Sequence, residues 1–475
     1  MKSIKLITLI VFLIALISCD NTAKKDDKSY AHVIDLPVSY AYPADSITIN
    51  KWIAANDFNA MYKHSWEVWK HLTTPVDGKV LRYQTWLSPA QILDKMNNPS
   101  KNSVSEIEFN KPKQFGHAKL RQADFDDTNI VEVVAYNKAA ENFAIDNKIF
   151  YLSTLQSMQK GEYSQIPDFP NDAITIKPVY KIITANNTNE NGIFTMSAWH
   201  GPEYKNSGYP EKEWKSCIHI DTKKSGNNVN GRIDYDCNTI TSDNTFYLND
   251  FINFKISAHQ SKEYNDEIAG GLKSDLKNKI ITKTDYEYQL KNLKTAEGDT
   301  AILVGMHVGT KEIKRWVWQT FWWSPTPLTP SIPSSDDIAS AKNGIGLQGA
   351  ASHYAMDIAY SMIIPAQPYI GGKNEGELVV GFNPYLESGF GTDVFDSKTS
   401  YVMNSGTKIQ TDLGTMSNCM SCHMSAAVKT SAKGPGYGSP DYVGDRYLSY
   451  KDSIFKNRLM LDFAWSIQSN IDSLK

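Results

Sequence analysis

Apolar residues recur at helical intervals along residues 46–72: Ile49, Trp52, Ile53, Phe58, Met61, Trp66 and Trp69 follow a 3.6-residue period, and Asp45-Ser46 stands where an N-cap belongs. A second helical pattern runs from Thr128 to Met158 through Val131, Val134, Ala139, Phe143, Ile145, Ile149 and Leu152. Between the two, Pro75, Pro89 and Asn97-Asn98-Pro99 read as loops around one short helix, Pro89 to Met96. From Ile174 the pattern changes. Ile174 to Tyr180, Ile193 to Trp199, Phe246 to Leu248 and Phe254 to Ala258 alternate or are rich in β-branched and aromatic residues, with turn material such as residues 186–192 between them. Ala301 to Val308 continues this as a buried strand. A proline-rich linker, Pro325 to Pro333, then leads to an expected helix from Ala350 to Ile363 and an apolar-rich terminal helix over Leu461 to Ile467. The fold class that follows is α+β: a mainly helical region over residues 46–170, a β-rich region over 171–325, and a mostly helical region over 326–475.

The chain begins differently. Lys2 and Lys5 precede an apolar run, Leu6 to Ile17, interrupted only by Thr8. A helix needs about 20 such residues to span a bilayer, so this run reads as an export signal. Leu16-Ile17-Ser18-Cys19 resembles the lipobox of bacterial lipoproteins, which implies removal of residues 1–18, acylation of Cys19, and anchoring to a membrane by lipid. Residues 19–45, opening with the polar and charged Asp20 to Ser29, form a tether. The expected location is the periplasm or the outer membrane. Composition narrows the partners: 49 Lys and Arg against 52 Asp and Glu leave no basic excess for nucleic acid, and 41% hydrophobic residues in 475 suit a sizeable folded core.

Cys419-Met420-Ser421-Cys422-His423 has the CxxCH pattern and resembles the attachment motif of c-type cytochromes. The resemblance implies one covalent haem c, with Cys419 and Cys422 as thioethers and His423 as the proximal iron ligand. A redox dithiol would follow a strand, and a zinc site would bring further Cys or His after residue 423; neither is written here. With Cys19 lipidated and two cysteines on haem, Cys217 and Cys237 remain of the five, and in an oxidising compartment they are expected to form a disulfide.

The sixth iron position stays open at this stage. Met460 precedes the expected terminal helix, His307, His353, Met356, Met403 and Met416 lie upstream, and an open position is the further alternative. His64 and His71, seven apart on the first helix, lack a visible third metal ligand. The cluster Trp316, Trp318, Phe321, Trp322 and Trp323 fits a ligand-stacking surface, a porphyrin wall or a plain core.

Met306-His307-Val308 with Thr310-Lys311-Glu312, Trp316-Val317-Trp318, Phe382 to Glu387, and Ser417 to His423 together resemble a family of large exported bacterial single-haem cytochrome-like proteins. That resemblance covers about residues 300–475 and names no substrate. Three functions compete. The first is electron transfer with a redox partner protein or small molecule. The second is a peroxidase-like haem oxidoreductase in which His307, Glu312, Arg315 and His353 are acid/base or charge-stabilising candidates. The third is a surface ligand-binding protein with a haem sensor or relay.

Overall fold

The computed structural model describes residues 41–78, 80–99, 107–109, 130–202, 209–388, 400–402, 408–410, 418–432, 435–440 and 446–475. Its centre is a seven-stranded antiparallel sheet built from β1 (Ile130–Glu132), β2 (Ala135–Tyr136), β3 (Ile174–Ile183), β4 (Asn253–Lys255), β5 (Thr300–Thr310), β6 (Val317–Trp323) and β7 (Tyr354–Ala359). The strands run in the order β7-β6-β5-β3-β1, with β4 also paired to β5 and β2 to β3. Every residue of β6 and β7 is buried, because both faces of the sheet are covered.

One face is covered from the N-terminal side. The pattern over residues 46–72 forms two helices, α1 (Ser46–Ala55) and α2 (Phe58–Thr73). They separate where Asn56 takes a left-handed backbone and Asp57 begins the next helix by accepting from Ala60 N–H at 3.0 Å. Trp66 and Trp69 of α2 reach Phe321 of β6, with ring centroids 5.7 and 4.4 Å apart.

The expected fold class needs correction in all three regions. The pattern from Thr128 to Met158 divides into β1, β2 and the helices Lys138–Asn147 and Leu152–Met158. Asn137 caps the first helix, and Lys148, at φ 50°, ends it. The β-rich middle also contains the helices Ala258–Lys277 and Lys283–Asn292. The C-terminal region is not mostly helical. Its described α-helices are Asp336–Ser340, Pro384–Glu387, Cys419–Met424 and Trp465–Gln468, each of six residues or fewer. Ala350 to Ile363, expected as a helix, is a 3-10 turn followed by β7, whose unbroken apolar burial hides the two-residue period. Leu461 to Ile467 is a turn leading into the last short helix, preceded by the strand Arg458–Met460. No described helix is long and apolar enough to cross a membrane.

A smaller sheet joins Ile193–Ser197, Cys217–Asp221 and Thr245–Tyr247. Cys217 and Cys237 are placed at disulfide distance, with Cα atoms 5.8 Å apart. Cys19 lies outside the described residues.

Candidate haem site

Asn418 opens the helix Cys419–Met424 by accepting from the backbone N–H groups of Met420 at 2.8 Å and Ser421 at 3.1 Å. Its side-chain amide donates to the carbonyls of Val379 at 2.7 Å and Ser361 at 2.9 Å, fixing the helix beside the end of β7. On a 3.6-residue period Cys419, Cys422 and His423 share one side of this helix, Ser421 stands opposite, and Met420 flanks His423.

His423 is held on two sides. Its ring lies 4.1 Å, centroid to centroid, from that of Trp318, and its Nδ1 is 2.9 Å from the Phe463 carbonyl oxygen. That carbonyl arrives through an unusual turn in which Asp462 and Phe463 both take positive φ, 46° and 69°. Consecutive left-handed residues other than glycine persist only where their surroundings enforce them. Asp462 supplies the enforcement: Oδ1 accepts from Lys311 Nζ at 2.6 Å and Oδ2 from Phe169 N–H at 2.9 Å, all in the interior. Burial brings the His423 pKa down to about 3, helped by the nearby His307 and Lys177 and opposed by the Phe463 carbonyl. A neutral ring that donates Nδ1–H to a carbonyl keeps its Nε2 lone pair for a metal. Burial, together with the Glu387 carboxylate, pushes the Cys419 thiol well above its ordinary range. A reactive redox dithiol requires the opposite shift.

Register across the large sheet builds the surroundings. Lys177, His307, Thr320 and Asp357 are successive partners on β3, β5, β6 and β7, so they form one polar row. Trp318, two residues from Thr320, lies on the same face, which is opposite that covered by α2. Asn383 and Glu387, at the two ends of the helix Pro384–Glu387, close a ring over this row. Asn383 Nδ2 donates to Thr320 Oγ1 at 2.9 Å, and Thr320 Oγ1 lies 2.9 Å from His307 Nδ1. His307 Nε2 lies 2.8 Å from Glu387 Oε1, and Glu387 Oε2 accepts from Asn383 N–H. Glycine permits the approach: a Cβ on Gly305 would stand 3.0 Å from the Asn383 amide. Burial, reinforced by Glu387, holds the Asp357 carboxyl protonated far above the usual carboxylate range.

A porphyrin joined by two thioethers needs two nearby thiols on one side of a helix and one imidazole with an unengaged nitrogen. Cys419, Cys422 and His423 fit that donor set. Among the described residues no group of three or more His, Cys, Asp or Glu gathers as around a bare metal ion.

The other sequence candidates separate in space. His307 is brought near the motif with both ring nitrogens in hydrogen-bonding contact. Met460 is buried in the apolar cluster that also holds Met420, Met424, Trp318 and Phe463, on a strand paired with Ala427–Val428. Met356 points to the α2 face, and His353 lies with Nε2 3.3 Å from Asp250, so neither is brought to the motif. Met403 and Met416 lie outside the described residues. Glu312 bonds His64 at 3.1 Å and Thr310 at 2.6 Å, whereas His71 packs on Tyr42, so the two histidines share no site. Arg315 sits among Tyr369, Tyr447 and Tyr450. Sequence reasoning missed Asp357, Asp462 and the role of Glu387. The signal for Asp357 and Asp462 was a lone acid inside an apolar run, which asks for a partner when buried. Comparisons of the chain with protein-family models, curated proteins and solved structures found no match, so function is argued from the site alone.

Proposed function

We propose that the protein is an exported, lipid-anchored c-type haem protein that transfers electrons outside the cytoplasm, with haem c on Cys419 and Cys422 and His423 as its proximal ligand. The observation that carries this reading is the His423 ring, fixed through Nδ1 by the Phe463 carbonyl with Nε2 left to a metal. When bound, the haem supplies a one-electron iron couple whose potential depends on axial ligation, burial and hydrogen bonding. The chain's own residues orient and shield. The Lys311–Asp462 pair holds the turn that presents the carbonyl, Trp318 and Phe463 keep water from the imidazole face, and Asn418 anchors the helix. Cys19 would carry the lipid that keeps the protein at a membrane beside its redox partner, a protein or a small molecule.

The ring of His307, Thr320, Asn383 and Glu387 favours a second reading, a haem-dependent oxidoreductase of peroxidase type. There His307 would take a substrate proton at one nitrogen while Glu387 or Thr320 holds the other.

The test is the optical spectrum and intact mass of the protein expressed in a host that matures c-type haem. Electron transfer predicts one covalent haem, six-coordinate and low-spin, that reacts slowly with peroxide. A high-spin haem that turns peroxide over, and loses that turnover in His307→Leu, would replace it with the second reading. A chain carrying both thiols free from such a host would remove both readings.

A further inference from the structure

Behind the Cys419–Met424 helix, on its Met420 side, lies a pocket walled by Arg315, Ser361, Gln367, Tyr369, Met420 and Tyr447, with about 390 Å³ of empty space counting its mouth. Arg315 is 5% exposed. Its Nη2 donates to the carbonyls of Leu448 at 3.0 Å and Pro368 at 3.2 Å, and its Nη1 reaches only the Met362 sulfur, at 3.6 Å. Its Nε is buried without a hydrogen-bond partner. The rings of Tyr447, Tyr369 and Tyr450 stand 5.1, 5.4 and 6.0 Å from the guanidinium carbon. Among the described residues no carboxylate pairs with this cation, although Lys311, four residues earlier and as deeply buried, has Asp462.

An ion taken out of water without a counter-charge costs several kcal/mol, which two carbonyls and three ring faces offset only in part. Both Nη2 protons are spent on carbonyls, so what Arg315 offers a planar or tetrahedral oxyanion is its charge and its Nη1 donors. We propose that this pocket binds a small oxyanion, a carboxylate or its inorganic counterpart, with Arg315 as the counter-charge and the tyrosines as walls.

A haem propionate is the other possible source of a carboxylate. Met420 flanks His423 on their helix, so a propionate of a porphyrin attached there is told from a free anion by the experiment rather than by position. The proposal commits to a free anion, and it stands independently of whether the iron site carries electrons or turns over peroxide.

The test uses the purified full-length protein at pH 7, with acetate and phosphate as probes exchanged for chloride at constant ionic strength. Calorimetric titration and melting temperature are read together, because a ligand that binds only the folded state raises the melting temperature in proportion to its occupancy. Saturable binding of at least one probe is expected. Its affinity should fall at least tenfold in Arg315→Met, which removes the charge, and in Ala366→Trp, which fills the mouth from an exposed position on the pocket wall. If Arg315→Met does not fold, Ala366→Trp decides. Absence of saturable binding in the wild-type protein, including absence because a propionate already holds the site, overturns the proposal. So does affinity unchanged by the variants that fold.

Discussion

On the α2 side of the central sheet, Trp69 stacks on Phe321 and donates from its indole nitrogen to the Ala351 carbonyl at 2.9 Å, and a buried histidine is bonded through its whole ring. That residue is His64, with Nδ1 2.6 Å from Tyr360 Oη and Nε2 3.1 Å from Glu312, all in the interior. On the opposite side, the polar row of Lys177, His307, Thr320 and Asp357 meets a short helix bearing two thiols outside any disulfide and an imidazole with one nitrogen to spare. Both sides bury histidine and carboxylate, so burial of polar groups does not mark the site. The two histidines differ in unused bonding capacity: His64 is engaged through both ring nitrogens, whereas His423 is held through Nδ1 and leaves Nε2.

Truncation on the closed side gives the largest expected effect. Trp69→Ala removes a side chain with no solvent exposure, and its cavity should cost about 3–5 kcal/mol of unfolding free energy, measured in denaturant. The holoprotein spectrum should stay as it was, since Trp69 packs on the face away from His423. A spectral change as pronounced as the stability loss would break the separation of the two faces.

Gly305→Ala tests the open side with a single methyl group. Its Cβ would press on the Asn383 amide at 3.0 Å, and accommodating it should cost about 1–3 kcal/mol while disturbing the ring around His307. Gly270→Ala is the matched control. It lies within the helix Ala258–Lys277 with nothing inside 4 Å of the new carbon, so it should gain about 0.5–1 kcal/mol. Equal responses at the two positions would mean that the close approach at Gly305 has no energetic weight.

The arrangement of Cys419, Cys422 and His423 was legible because it is local: five consecutive residues carry the thiols and the imidazole, and Asn418 beside them supplies the cap. The disulfide partners followed from counting cysteines. The polar row was not legible, because His307 meets Thr320 and Lys177 only after the register is set, including a shift between Leu303 and Gly305 that no periodicity announces. β7 was misread as helix because Tyr354 to Ala359 is buried on both faces, leaving no alternation to detect. The expected terminal helix failed at Asp462, where an ion pair with Lys311 holds a left-handed turn against local preference. Tertiary pairing overrode local pattern in each case, and two of those places now frame His423.

The smallest effect concerns Asp357, at the far end of the polar row. Its folded pKa is raised by burial and by Glu387, whereas in the unfolded chain it titrates near the usual ~3.9. Above about pH 4 the unfolded state therefore releases a proton that the folded state keeps, and stability falls as pH rises toward the folded pKa. Asp357→Asn has nearly the same shape and no proton to release. The variant should match the wild-type protein well below pH 4 and exceed it in stability by about 1.5 kcal/mol near pH 5, at a limiting slope of ~1.4 kcal/mol per pH unit. Other titrating groups cancel in the difference between the two unfolding curves. A gap that does not vary with pH would show that Asp357 is ionised in the folded protein, and the polar row would then carry a negative charge beside Cys419.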